Sequence, residues 1–161
     1  MKNAIEQAGM AVMLAVIITG CATTPAPTTI ADTAAKTPQL STLNRLIAQA
    51  GLEETLRGAG PYTVFAPSDE AFNAVPAKTL ADLGNDKTLL KSVLSYHVLP
   101  VKVMAADVKN SNAKTVNGAN VALSRAGATV TIEDAIVVQA DVAATNGVVH
   151  VIDRVLLPPK Q

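Results

Sequence analysis

Between Gln39 and Pro100 the apolar positions mostly recur at steps of three and four, and beyond Pro100 they recur at steps of two. The first spacing stacks side chains on one helix face, and the second sends them alternately to the two faces of a strand. Leu43, Leu46, Ile47 and Ala50 predict a helix with Ser41 as its cap and Gly51 at its end. A second short helix is expected over residues 52–57, before Gly58 and Gly60 break the pattern. Residues 62–66 alternate and carry aromatic and β-branched side chains, so they predict a strand that Pro67 stops. Ser68 is placed to cap a short helix opening with Asp69 and Glu70, and Asp86 a longer one carrying Leu89, Leu90, Val93 and Leu94. Tyr96 and His97 stand at the end of that longer helix.

After Pro100, residues 115–116, 121–123, 130–132, 136–138 and 148–152 are short β-prone runs. They are separated by Asn117-Gly118, Gly127, Asp134 and Asn146-Gly147, and Asn-Gly suits a tight hairpin turn. Helices followed by a run of strands predict an α+β domain, not alternating βαβ units.

The N-terminus carries a different pattern. Lys2 opens a short polar region, an apolar run follows from Ala8 to Ile18, and Ile18-Thr19-Gly20-Cys21 closes it. This is the layout of an export signal, and the run is shorter than the roughly 20 apolar residues a membrane span requires. Residues 1–20 are therefore expected to be cleaved. Cys21, the sole cysteine, follows a small residue and resembles the acylated first residue of bacterial lipoproteins. Ala22 supplies no acidic retention signal, so in a cell with two membranes the outer membrane or cell surface is the expected location; the alternative is an ordinary signal peptide cut nearby, with Cys21 incidental and the domain periplasmic or secreted. Residues 21–38, rich in Ala, Thr and Pro, predict an extended tether, and residues 39–158 one domain.

Composition narrows the possible partners. Hydrophobic residues make up 49% of the chain, yet its aromatic side chains are confined to Tyr62, Phe65, Phe72 and Tyr96, so the core is built of aliphatics. Stacking platforms for nucleic acid are missing. The 13 basic and 13 acidic residues balance, which leaves neither a basic footprint for nucleic acid nor a polybasic grip on anionic lipid. Membrane attachment is expected only through the acyl anchor.

Three segments in order, residues 63–72, Tyr96-His97 and residues 146–158, resemble a fasciclin domain. The resemblance implies an α+β fold, a β-sandwich or wedge of about seven strands with several helices packed along one edge. It also implies an extracellular adhesion or binding module that is not an enzyme and carries no cofactor. Two contact elements of adhesive members have counterparts in Tyr96-His97 and in Asp141-Val142, where the family often has Asp-Ile.

Thr63, Asp69, His97, Asn146, His150 and Asp153 stand among apolar neighbours. Buried polar groups persist when hydrogen-bonded, so these residues are expected to form a network tying strand ends to helix caps. His97 beside Tyr96 also suits the edge of a groove. His150 alternates with Val149 and Val151, which directs it to solvent or to a hydrogen bond. Ser68, His97 and Asp69 make a triad on paper, but Ser68 suffices as a cap and lacks a Gly-flanked nucleophile elbow. Two histidines without cysteine or paired carboxylate spacing do not predict a metal site.

Two readings of function follow. The first is adhesion to a protein or to an extracellular polymer such as polysaccharide; an exposed apolar patch over a filled core would favour it. The alternative is a carrier for a small lipid-like ligand in an apolar crevice between helices and sheet, which an enclosed aliphatic cavity would favour.

Overall fold

The computed structural model describes residues 28–159, so the signal run, Cys21 and the first part of the expected tether lie outside the described residues. The rest of that tether is corrected by the first element. Ile30–Lys36 form helix α1, opened by a reciprocal capping box between Thr29 and Asp32. Its Ile30, Ala31 and Ala34 are buried in the main core. Small side chains with little apolar area suggested an entropy-dominated linker, but Ala31 and Ala34 let the helix approach closely and Ile30 anchors it.

A 3₁₀ turn at Pro38–Leu40 leads into α2, Ser41–Ala50, which ends at Gly51 in the left-handed region with φ 70°. Then come α3, Glu53–Arg57, and the first strand, β1, Tyr62–Pro67. Ser68 caps α4, Asp69–Asn73, its Oγ accepting from the Ala71 N–H at 3.2 Å. The sequence reading did not anticipate α5, Ala77–Asn85, which carries Gly84 and buries only Leu83. Asp86 caps α6, Lys87–Tyr96, accepting from the N–H groups of Thr88 and Leu89.

Six strands follow: β2 Val98–Leu99, β3 Ser111–Lys114, β4 Asn120–Ala126, β5 Thr129–Ile132, β6 Ala135–Ala144 and β7 Gly147–Ile152. The seven strands form one sheet in the order β2-β1-β7-β6-β5-β4-β3. Every neighbouring pair is antiparallel except β1 and β7, which run parallel from Tyr62 opposite Gly147 to Pro67 opposite Ile152. This central pair is mostly apolar, Thr63 and His150 aside, and buried on both faces, as parallel strands covered on two sides must be.

Alternation along β1 and β7 divides the interior in two. Val64, Ala66, Val149 and Val151 face the helices, joining Leu43, Ile47, Leu90 and Val93. Phe65 and Ile152 face the other way and meet Val121, Leu123, Val130 and Ile132 of β4 and β5. The sheet thus doubles over itself. The bend lies in β6, whose pairing with β7 slips between Val137 and Gln139 and again between Gln139 and Val142. The result is an α+β wedge with helices along one side.

Two local readings change. Residues 115–116 are not a strand: the Thr115 N–H and Oγ1 both reach the Ala119 carbonyl, at 2.9 and 2.8 Å, and close a turn. The strand beside it, β3, is polar and held by its ladder with β4. Gly147 does not adopt a left-handed backbone. A Cβ there would overlap the Tyr62 carbonyl oxygen and press on Ile30, so the glycine serves close approach of β1 and α1.

Candidate functional site

The polar residues of the three motifs spend their hydrogen bonds mainly on backbone. Thr63, fully buried on β1, donates to the Val101 carbonyl at 2.6 Å and accepts from the Val103 N–H at 2.8 Å, fixing the segment after β2. Asn146 accepts from the Ile30 N–H at 3.0 Å and donates to the carbonyls of Leu56 and Gly58 at 2.6 and 2.9 Å. One amide therefore joins α1, the end of α3 and the β6–β7 turn. Asp153 accepts from the Ile136 N–H at 2.7 Å and clamps the start of β6 to the end of β7.

Asp69 acts across elements. Its carboxylate accepts from Ser41 Oγ at 2.7 Å and from the Thr42 N–H at 2.8 Å, so it caps α2 from outside. The expected cap, Ser41, is already helical and serves as a donor instead. Asp69 is half-buried, not enclosed. Burial pushes its pKa up, but the Ser41 and Thr42 hydrogen bonds, with Arg45 nearby, outweigh it and hold the carboxyl below the usual range.

The two histidines are neutral pins of opposite tautomer. His97 donates from Nδ1 to the Val93 carbonyl at 2.8 Å and accepts at Nε2 from the Leu156 N–H at 2.9 Å. Burial pushes its pKa down to about 4, against a smaller upward pull from the Val93 carbonyl. His150 donates from Nε2 to the Val103 carbonyl at 2.8 Å and accepts at Nδ1 from the Asp141 N–H at 3.1 Å. Its ring stacks on Phe65 with centroids 5.7 Å apart, and it is 1% exposed, so the outward face of β7 is itself interior. The Asp141 carboxylate lies 4.0 Å from His150 Nδ1, but that nitrogen is an acceptor, so the approach is not an ion pair.

The expected contact elements divide. Tyr96 and His97 are 4% and 1% exposed, and the Tyr96 hydroxyl donates to the Asn120 carbonyl at 3.2 Å. These side chains are interior, which removes them as a free contact surface and His97 from a groove edge. Asp141 stands exposed in the β6 bulge with φ 55°, its carboxylate accepting from the Ala105 N–H at 2.8 Å. Val142 beside it is half-buried against the main core. Ser68, His97 and Asp69 are not joined by hydrogen bonds, and neither imidazole nitrogen of His97 is free to act as a base. Among the described residues no group of three or more His, Cys, Asp and Glu is spaced to hold a metal.

Three surface features were not singled out from the sequence. On β6, Ile136 and Val138, two residues apart, are 45% and 60% exposed, and Val138 lies where the pairing with β7 slips. An open cleft of about 560 Å³ borders Tyr96, Glu133, Arg154 and Leu157. A smaller aliphatic crevice of about 150 Å³ lies between α3, α6 and β2. The signal for the first was present: Ile136-Val137-Val138 breaks the strand alternation with three consecutive apolar residues.

The fasciclin-domain family profile matches residues 38–158. The chain belongs to the fasciclin-domain family. It is 41% identical over 140 residues to protein sll1483 of Synechocystis, covering 86% of this chain and 78% of that protein. It is 36% identical over 137 residues to the cell surface glycolipoprotein MPB83 of Mycobacterium bovis, covering 82% of this chain and 61% of that protein. The structure of a FAS1 domain pair from the insect cell adhesion molecule fasciclin I aligns with a TM-score of 0.61 and 25% identity, over 73% of this chain and 45% of that one. In this fasciclin domain, α1 lies ahead of the profile match yet is bonded to the Asn146 of the C-terminal motif.

Proposed function

We propose that this fasciclin domain is the binding module of an exported lipoprotein, held at the outer membrane or cell surface by acylated Cys21. It contacts a protein or extracellular polymer through the outer side of β6 and performs no chemistry. The observation that carries the reading is the pair Ile136 and Val138, two residues apart on β6 and about half exposed. Asp141 and the half-buried Val142 extend the same strand, and the exposed Asp141 supplies a polar rim. The family's occurrence in an insect cell adhesion molecule and in a cell surface glycolipoprotein supports both parts of the proposal.

The carrier reading has weaker support. The aliphatic crevice, at about 150 Å³, falls below the ~300–1,000 Å³ of ligand-enclosing pockets. It is too small to enclose a long-chain lipid.

Each half-exposed aliphatic offers roughly 1 kcal/mol when covered, so the pair is worth about a 30-fold difference in affinity. The test is retention of the purified chain on immobilised protein and polysaccharide fractions of the cell envelope, compared with the double variant Ile136→Glu and Val138→Glu. Loss of retention with an unchanged melting curve is expected. Equal retention by the folded double variant would move the contact away from β6.

A further inference from the structure

The crevice between α3, α6 and β2 combines groups that the β6 contact leaves unused. Leu52, Leu56, Val98 and Val116 give it aliphatic walls, and Val116 is 45% exposed. Tyr62 and two α6 residues one turn apart, Lys91 and Ser95, complete the lining with Thr55. Lys91 is exposed and makes no ion pair among the described residues. The side-chain hydroxyls of Thr55, Tyr62 and Ser95 make no hydrogen bond among the described residues, and none is buried without a partner, so all three remain open to solvent or a ligand. Small-molecule sites have this composition: mostly apolar walls with a few convergent polar groups.

We propose that this crevice binds a short alkyl carboxylate, with the aliphatic tail between Leu56, Val98 and Val116 and the carboxylate against the Lys91 ammonium. Charge decides the head group. The lining holds one cation and no carboxylate, so it complements an anion and gives no counter-charge to an alkylammonium. Volume decides the tail. A space of about 150 Å³ matches that of an engineered apolar cavity that takes up benzene, which corresponds to about six carbon atoms. Occupation would cover the exposed face of Val116 and give the hydroxyls of Tyr62 and Ser95 an acceptor.

The probe is octanoate, titrated into the purified full chain and followed by amide NMR shifts. Saturable shifts at Leu52, Val98 and Val116 are expected, and Lys91→Gln should weaken octanoate about tenfold while leaving octanol binding unchanged. Val116→Glu, which places a like charge at an exposed position, should abolish octanoate binding without unfolding the chain. The assignment is overturned if octanoate gives no saturable shift or if Lys91→Gln binds it as well as the parent. It is equally overturned if octylammonium binds as tightly, or if a short peptide ending in a leucine carboxylate binds more tightly than octanoate. The β6 double variant should bind octanoate normally, which keeps this result separate from the adhesion test.

Discussion

Asn146→Ala tests whether the C-terminal motif holds the frame through its side chain or through the shape of its turn. The amide makes three hydrogen bonds, to the Ile30 N–H and to the carbonyls of Leu56 and Gly58. At about 1 kcal/mol net for each, their removal costs about 3 kcal/mol, a large part of the 5–15 kcal/mol that holds a typical domain. For a domain of this size that corresponds to a fall of roughly 10 °C in melting midpoint. The Ile30 amide, at the first turn of α1, should also lose hydrogen-exchange protection before the rest of the core does. Asn146→Asp separates the two explanations. It keeps an acceptor for Ile30 but sets a carboxylate against two carbonyls, so it should cost at least as much as alanine. If the residue mattered only as a turn former, aspartate would be nearly silent, since it is also at home in turns. An alanine variant melting within a degree of wild type would refute the hydrogen-bond account.

His97 links stability to acid. Its pKa is about 4 in the folded chain against an ordinary 6.5, so the unfolded chain takes up the proton first as pH falls. The stability is therefore intact above pH 6.5 and declines toward pH 4, by at most about 3 kcal/mol. His97→Gln should melt lower at neutral pH yet lose less between pH 6.5 and 4.5; identical acid slopes in the two proteins would disprove the linkage. For the anchor, Cys21→Ser should move the mature chain from the membrane fraction to the soluble fraction, and unchanged partitioning would exclude acylation as its attachment.

Much of the frame was legible because its signals are local. Gly51, Ser68 and Asp86 lie beside the helix ends they close, and the apolar runs of β4, β5 and β7 alternate or stay apolar as their burial requires. What escaped depends on distant partners. α1 resembles a linker until Asn146 and the core hold it, and β3 is a strand only because β4 pairs with it. α5 was missed although Ala77, Leu80 and Leu83 recur at three-residue steps, with Gly84 inside the helix as a breaker signal. For the candidate site, sequence placed the polar motif residues but not their exposure. Nothing local shows that a second core buries the far face of β7, and with it His150 and the neighbourhood of Tyr96.

The partners of those polar residues bear on where specificity resides. Thr63, His97, Asn146, His150 and Asp153 direct their polar atoms to N–H and carbonyl groups, which any sequence supplies at the same backbone positions. Their polar atoms therefore define a chain path, and the one side-chain demand beside it is the His150 ring on Phe65. Ile136 and Val138 have the opposite character, because half their surface is outside the core and their exposed parts contribute nothing to it. Exposed aliphatics of this kind do not stabilise the fold, and the proposed contact outside the domain is what would give them a role. Lys91 and Val116 at the aliphatic crevice stand in the same relation to the frame. Changes at β6 or at the crevice should thus alter what is bound while leaving the melting midpoint in place, whereas changes at the motif residues should do the reverse.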